Sequence, residues 1–595
     1  METIVGIDLG TTNSEIAVIR DGQPTVLLED GEAILPSVVG LDTEGHLLVG
    51  TPARNQWVLA PERTVRSIKR QMGADVTVRL GDRDYTPQEI SSFILRRLKE
   101  RAEKALGCPV RKAVITVPAF FNEIQREATH EAGELAGLEV VRIINEPTAA
   151  SLTYDPRPDR MERLLVYDLG GGTFDVSIVQ IEQGVVEVLS SHGDTHLGGD
   201  DFDQLLLDHV CERFQKEHGI DLRESLAPKS RVLRAVEEAK KKLSFEPVAR
   251  LQEEFIAEKK GVPLHLDMEL QRGEYEKLIE PLLNKTLTCV DDALSDAKVH
   301  AEQIDKVVLV GGASRTPLVH QLLNDRLGRM VHSEVDPDLC VAMGAAVQGG
   351  LIGGVDVGPV LVDITPHTLG IQALGSLHGM PSVHHFASII ERNTPLPASR
   401  SELFSTTVDK QVAARISVFQ GESEDVRHNQ RVGEFLVEGL AEVVSGNEIL
   451  VRFDLDLDGI LKVTAVERAT NLQKQLTIDN PISRFRKRDR VDVREPLEEA
   501  VVPRDEEDAI LSEVIAAGKE AETAGLSDEW KDVMQQSLSL TGKAQGVAPA
   551  ASDEDRQEIQ QLVERLRDAV AVRSLDDARK ILAELEDLVF YLQDA

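Results

Sequence analysis

Cysteine is scarce: Cys108, Cys211, Cys289 and Cys340 are all there is in 595 residues. They are far apart and form no C-x-x-C pair. That disfavours a zinc knuckle and a disulfide framework, and it suits a reducing cytosol. Aromatic residues make up only 4% of the chain, so cores must be built mainly from Val, Leu, Ile and Ala. Gly and Pro, at 43 and 25 residues, fall well short of collagen-like or low-complexity levels. Basic residues are outnumbered 66 to 102, for a net charge of -36. A field of that sign repels phosphate backbones and anionic lipid, so neither nucleic acid nor a membrane surface is an expected partner. The N-terminus lacks a basic stretch followed by an apolar one, so no secretory leader is expected. The longest uncharged run, Leu339 to Val355, is shorter than the usual bilayer span and carries Gln348. It reads as a buried helix followed by a turn, with a membrane span as the minor alternative. There is no GxxxxGK(S/T) P-loop, and no GxGxxG follows a strand.

What is present is ordinary globular composition, 42% hydrophobic and 28% charged. At roughly 150 residues per domain the length suggests about four domain-sized units. The first 358 residues alternate short Val/Ile-rich runs with helical stretches, as in Val110–Val117, Asn122–Ala136 and Val140–Ile144. That predicts an α/β architecture. Gly353, Gly354, Gly358 and Pro359 then precede an exposed-looking apolar run, Val360 to Val362, ending at Asp363; an interdomain linker is expected there. From about Thr365 to Pro481 the period becomes two: Ile449, Val451, Phe453 and Leu455 alternate with polar residues, and Asp458-Gly459 offers a hairpin turn. Asp454, Asp456 and Asp458 do not make a calcium loop, because its twelfth position would be Ala465. From about Arg504 the period is helical, with Ile559, Leu562, Val563, Leu566 and Val570 on one face. Ser552 and Ser574 mark expected helix starts, so the end of the chain reads as a small helical bundle. The basic stretch Arg484 to Arg490 could be an anion or partner patch, but a solvated hinge is favoured.

A different phosphate motif occurs twice. Ile4 to Asn13 contains Asp8, Gly10, Thr11, Thr12 and Asn13; Leu165 to Asp175 contains Asp168, Gly170, Gly171, Gly172, Thr173 and Asp175. Each copy is an apolar strand, an Asp, a glycine turn, a Thr and a return strand. Glycines let the backbone approach phosphate, and successive turn N–H groups form an anion nest. The strand-end Asp can hold Mg²⁺, through water because that ion dehydrates reluctantly. Two copies suggest a duplication, with two hairpins clamping one nucleotide from opposite sides. Gly311 and Gly312 follow the buried-type strand Lys306–Val310 and suit a nucleoside lying against the turn. Glu237, Lys240, Lys241 and Ser244 share one helix face. A carboxylate there could take a ribose hydroxyl; the lysines could reach phosphate, or Lys241 could cover the base. A charged helix face is also commonly just solvated. Lys69 and Glu146 complete what hydrolysis needs: a cation near the γ-phosphate and a carboxylate orienting water.

These residues resemble the signatures of the DnaK family of heat-shock chaperones, the heat shock protein 70 family. The likeness runs through Asp8-Leu-Gly-Thr-Thr-Asn-Ser, Asn145-Glu-Pro-Thr-Ala-Ala, Asp168-Leu-Gly-Gly-Gly-Thr-Phe-Asp175, Gly193 to Asp203, Gly311-Gly-Ala-Ser-Arg and Asp458-Gly-Ile-Leu, and covers about residues 1–480. The Asp-x-Gly-Thr element alone is shared with actin and sugar kinases. The resemblance implies a multidomain chain: an α/β actin-like two-lobed ATPase domain (1–354), a linker (355–364), an all-β sandwich that holds peptide (365–482) and an α-helical bundle lid (483–595). It implies that Lys69 orients the attacking water, with Glu146, Asp168, Thr173 and Asp175 beside it. Asp8 and Asp168 would hold hydrated Mg²⁺. Gly10, Thr11, Thr12, Asn13 and Gly170, Gly171, Gly172, Thr173 would bind phosphates. Glu237, Lys240, Lys241, Ser244, Gly311, Gly312, Arg315 and Asp338 would frame the nucleoside. Ile371, Leu374, Phe404, Thr407, Ala414 and Ile416 match peptide-groove positions. Arg142, Asn145 and Asp363 match positions that dock the linker and a J-domain partner. Implied cofactors are ATP/ADP and Mg²⁺, with K⁺ as an optional further ion. Implied partners are unfolded polypeptides, a J-domain co-chaperone and a nucleotide exchange factor, in the cytoplasm.

The chain departs from the general pattern. The stretch between Gly73 and Tyr85 is short, Ala414 and Thr407 replace bulkier or less polar groove residues, and Pro359 removes a linker donor. The usual lid opening is not evident in Ile482–Val502, and there is no long tail after Tyr591. These features are more similar to a specialised paralogue of the HscC group. The expected activity is an ATP-gated peptide clamp whose groove closes on hydrolysis. Two rivals are a small-molecule kinase on the same scaffold and a non-hydrolysing holdase or exchange factor.

Overall fold

The computed structural model describes residues 3–154, 160–328, 336–355, 357–468, 470, 473–477, 562, 580 and 581. The chain divides into two compact units, residues 1–501 and 502–595. Apart from Leu562, Lys580 and Ile581, the expected lid lies outside the described residues, as do the helix starts at Ser552 and Ser574 and the basic stretch Arg484–Arg490. Only Leu562, Lys580 and Ile581 of the second unit are described; they are helical, with Leu562 and Ile581 buried.

The first two sheets repeat one plan. In the first, Lys112–Val117 runs parallel to Ile4–Leu9, which turns back as Asn13–Arg20 and then pairs with Gln23–Val26. In the second, Lys306–Val310 runs parallel to Glu162–Leu169, which turns back as Phe174–Glu182 and then Val185–Asp194. The repeated order of one parallel and two antiparallel pairings is the duplication that the two glycine motifs announce. Each sheet has its own core: Ile7, Leu9, Ile16, Phe93, Leu98 and Phe121 in lobe I, and Tyr167, Phe174, Phe202, Leu206, Phe214 and Tyr275 in lobe II. Lobe I gains the helix Pro87–Leu106, opened by a Thr86/Glu89 capping box with Pro87 at its first position and closed by Gly107 in the left-handed region.

The uncharged run seen in the sequence is the helix Cys340–Ile352, buried between the lobes. It needs small residues at its contacts. A Cβ on Gly6 would fall 2.1 Å from the Ala346 nitrogen, and one on Gly344 would fall 1.8 Å from the Ala149 carbonyl. Among the described residues no helix is long and apolar enough to cross a membrane.

The period-two region forms two four-stranded antiparallel sheets. One is ordered Met380–Ile390, Leu369–Leu377, Ala413–Gln420, Gln430–Glu438; the other Ala398–Ser405, Glu448–Leu455, Leu461–Glu467, Gln473–Thr477. Leu369, Ile371, Ile416, Val418, Val451, Phe453 and Val463 fill the space between them. The segment Val360–Val362 is a short strand parallel to the start of Val185–Asp194. Val360 stays exposed, Leu361 and Val362 are half-buried and Asp363 is buried. The apolar run is therefore only partly exposed, because it adds an edge strand to lobe II and its end turns inward.

Candidate functional site

The two glycine hairpins face each other across the cleft. A Cβ on Gly171 would lie 1.9 Å from the Thr12 hydroxyl, and one on Gly172 would lie 2.6 Å from the Thr11 methyl. Side chains at these positions would force the lobes apart, so glycine is required by contact and not only by turn geometry. Gly311 closes a third side: its φ is +77°, and a Cβ there would fall 2.5 Å from the Leu169 carbonyl oxygen. Together they bound an open cleft between the lobes. It is lined by Asp8, Gly10, Thr11, Thr12, Asn13, Lys69, Glu146, Asp168, Gly170, Gly171, Thr173, Gly311, Gly312 and Asp338, all foreseen, and by Glu15, Val310, Pro337 and Val341, which were not.

Lys69 and Glu146 meet at the floor of the cleft. The Lys69 ammonium, 3% exposed, donates to Glu146 Oε1. Lys69 sits on a short 3₁₀ turn, Ile68–Gln71, entered through Ser67 in the left-handed region. Glu146 opens the helix Glu146–Ser151 with Pro147 beside it. Around them the carboxylates are crowded. Burial and then Glu146 push Asp8 up to about 7, against Lys69 and a 2.8 Å hydrogen bond from Thr116 Oγ1. Burial, Glu146, Asp175 and Asp8 drive Asp168 well above the carboxylate range. Burial and then Glu146 push Asp175 up to about 7, although Phe120 N–H donates to it at 3.0 Å. Glu15 is raised well above its ordinary value by burial, Asp8 and Asp338. A divalent cation would relieve this crowding, so the donor set fits Mg²⁺. Among the described residues no three acidic, His or Cys groups converge closely enough to ligate a metal directly. The Thr12 hydroxyl is buried without a partner, a donor left for a ligand.

The lobes are clasped above the cleft. Ser67 Oγ donates to Asp200 at 2.5 Å, Arg70 pairs with Asp201 at 3.0 Å, and Arg66 approaches Glu237 at 3.6 Å. The helix-face group does not line the cleft. Lys240 is captured by the buried Asp203 at 2.7 Å and by the Gly199 carbonyl at 3.0 Å. Lys241 is tied to Glu237 at 2.9 Å, and Ser244 caps the end of helix Leu226–Leu243. In this structure neighbouring acids hold both lysines, Lys240 by Asp203 and Lys241 by Glu237. Arg315 pairs with Asp338 at 2.6 Å, which does line the cleft.

The β-sandwich meets lobe I beside this floor. Asn145, the residue before Glu146, donates to Asp363 Oδ2 at 2.9 Å and accepts from the buried Arg126 at 2.6 Å. Arg142 lies 3.6 Å from Asp458, whose carboxylate also accepts from Ile143 N–H at 3.0 Å. His367 bonds the Phe120 carbonyl at 3.2 Å, so Phe120 touches both the sandwich and Asp175. Asp296 of lobe II accepts from His192 at 2.9 Å and Arg392 at 2.8 Å. Arg126 and Phe120 were missed in the sequence; the available signal was a charged residue at a position shared with the helix's apolar face. Of the groove positions, Ile371 and Ile416 belong to the sandwich interior, Phe404 and Ala414 are half-buried against it, and Leu374 and Thr407 are exposed.

Facing glycine hairpins over a buried Lys–Glu pair, in a duplicated two-lobed domain joined to a β-sandwich, define an ATPase of the actin-like class that carries a second, binding domain. The sequence profile of the family described as Hsp70 protein matches residues 4–79 and 74–594. The chain is 46% identical over 486 residues to the Chaperone protein DnaK of Thermotoga petrophila, covering 80% of each chain. The same figures hold for the Chaperone protein DnaK of Thermotoga maritima and that of Thermotoga neapolitana. The chain belongs to the Hsp70 family. It is an ATP-dependent molecular chaperone, an ATPase using ATP/ADP with Mg²⁺, whose clients are unfolded polypeptides; its architecture is an actin-like ATPase domain, a β-sandwich and a helical lid.

Proposed function

We propose that residues 1–354 form the ATPase, 355–364 the linker, 365–482 the peptide-binding sandwich and 483–595 the lid, and that Asp363 carries the signal between the first and third. Lys69 positions the attacking water, and Glu146 holds Lys69 in place through their hydrogen bond. Asp175 and Thr173 border that position, while Thr11, Thr12, Asn13 and the Gly170–Thr173 turn supply phosphate donors. Asp8 and Asp168 hold Mg²⁺ through water; when bound, the ion neutralises charge developing on the transferred phosphoryl group. K⁺ is a further candidate for the same acidic pocket. Gly311, Gly312 and Asp338, with Arg315 behind it, receive the nucleoside. Glu237, Lys240, Lys241 and Ser244 reach it only if their present ion pairs open.

The observation that carries the coupling is the bond from Asn145 to Asp363. Docking the sandwich thereby loads the residue next to Glu146, and Phe120 loads Asp175 from the same side. Peptide entering between Leu374, Phe404, Thr407 and Ala414 would release these contacts and let Glu146 and Asp175 settle for hydrolysis. Ile371 and Ile416 support that groove from beneath. A J-domain partner would act at Arg142, Asn145 and Asp363, and an exchange factor on the inter-lobe clasp, in the cytoplasm. Coupling of this kind is reciprocal. Asp363→Ala should therefore remove stimulation of hydrolysis by peptide, and retained stimulation would refute the assignment. Family membership favours neither a small-molecule kinase nor a non-hydrolysing holdase.

A further inference from the structure

Strand Asn13–Arg20 alternates its faces. Ile16 and Val18 enter the lobe I core, whereas Ala17 packs on Ala342 and Ala346. Glu15 lies on the Ala17 face and lines the nucleotide cleft. The antiparallel register sets Glu15 directly opposite Asp8. Residues so paired project from the same face, with Cβ atoms about 5 Å apart.

Glu15 is 2% exposed. Most carboxylates of the cleft receive a donor: Thr116 serves Asp8, Phe120 N–H serves Asp175, Lys69 serves Glu146 and Arg315 serves Asp338. Among the described residues, Glu15 and Asp168 receive no side-chain hydrogen bond and no ion pair. The nearest cations are committed elsewhere, Lys69 to Glu146 and Arg101 to Glu29 and the Ala33 carbonyl. A carboxylate removed from water without donors needs a proton or a cation. Asp168 has one in prospect, the Mg²⁺ that enters with the nucleotide, and Glu15 shares its cavity and its bareness.

We propose that Glu15 is a third acidic partner of the nucleotide's cation, acting through water beside Asp8 and Asp168, so that nucleotide affinity depends on that cation more steeply than two carboxylates would make it. This rests on reading the cleft as a magnesium–nucleotide site. With the cation present, the Glu15 charge attracts the ion; without it, Glu15 gives the polyphosphate no support. Cation and nucleotide must then strengthen each other's binding by one common factor.

The test is equilibrium binding of a fluorescent ADP to the full-length protein, in excess free Mg²⁺ and in EDTA. The ratio of the two dissociation constants is the coupling factor. In Glu15→Gln it should shrink by about tenfold, through weaker binding in Mg²⁺. Glu15→Asp should keep most of it. Glu15→Val, whose side chain a buried strand accepts, supplies the same comparison if the amide does not fold. A factor within about twofold of wild type in Glu15→Gln and Glu15→Val overturns the Glu15 assignment alone. Wild-type protein whose ADP binding ignores Mg²⁺ overturns the reading of the cleft as well.

Discussion

Asn145 and Asp363 lie 218 residues apart in the chain, yet the Asn145 side-chain amide donates to the Asp363 carboxylate at 2.9 Å. Both groups are buried, and Arg126 completes the amide from its other side. A buried carboxylate costs several kcal/mol unless it is partnered, so Asp363 stabilises one arrangement of the two domains and no intermediate one. The next residue along, Glu146, holds Lys69. A single peptide unit thus separates the domain junction from the floor of the cleft.

Lys69→Ala should lower ATP hydrolysis by about a hundredfold to a thousandfold, the usual cost of deleting a charge that stabilises the transition state. ATP affinity should stay measurable, because the hairpin donors that grip phosphate remain. Single-turnover hydrolysis beside equilibrium ATP binding checks both. Wild-type turnover in the variant would contradict the role given to Lys69.

Gly171→Ala should weaken nucleotide binding by roughly a hundredfold, since the new methyl falls on the Thr12 hydroxyl and displaces one hairpin from the other. The lobe cores do not involve this turn, so the thermal unfolding midpoint without nucleotide should be unchanged. Calorimetric titration with ADP measures the first and a melting curve the second. Unaltered affinity would show that the hairpins do not close on one ligand.

His367 should make domain docking sensitive to acid. Docked against Phe120 it is half-buried, and desolvation pushes its pKa down to about 4; exposed, it returns to about 6.5. The docked form binds fewer protons, so docking has its full support above about pH 6.5 and loses about tenfold per unit as pH falls toward 4. Glu422 favours protonation of this ring, while Arg126 and His192 oppose it. Glu123, facing Asp456 across the junction and pushed up to about 8, works the other way: its support is complete at low pH and fades as pH rises from about 4.5 toward 8. The informative quantity is therefore the difference between wild type and His367→Leu. Energy transfer between labels on lobe II and the sandwich should show the variant holding its docked population between pH 7 and 5 better than wild type. Parallel pH profiles would exclude His367 as the titrating group.

Much of this was legible in the residues. Paired Asp–Gly–Thr hairpins announced the duplication, because only a phosphate nest needs glycines and a Thr immediately beyond a strand-end Asp. The period-two run from Ile449 to Leu455 announced the sandwich. Other features depend on contacts that no spacing reveals. Lys240 shares a helix face with Glu237, but the buried Asp203, 37 residues earlier, takes its charge. Glu15 read as an ordinary strand residue because its environment comes from the register with Asp8 and from helix Cys340–Ile352 behind it. Ile371 and Ile416 matched groove positions by sequence, but which face of the sheet they occupy is set by packing against the opposite sheet.

The most direct measurement is steady-state ATP hydrolysis with and without a saturating apolar peptide, in wild type and in Asp363→Ala. Peptide should raise the wild-type rate several-fold and leave the variant's rate unchanged. Equal stimulation of both proteins, or none in wild type, would contradict the transmission of groove occupancy through Asp363 and Asn145 to Glu146.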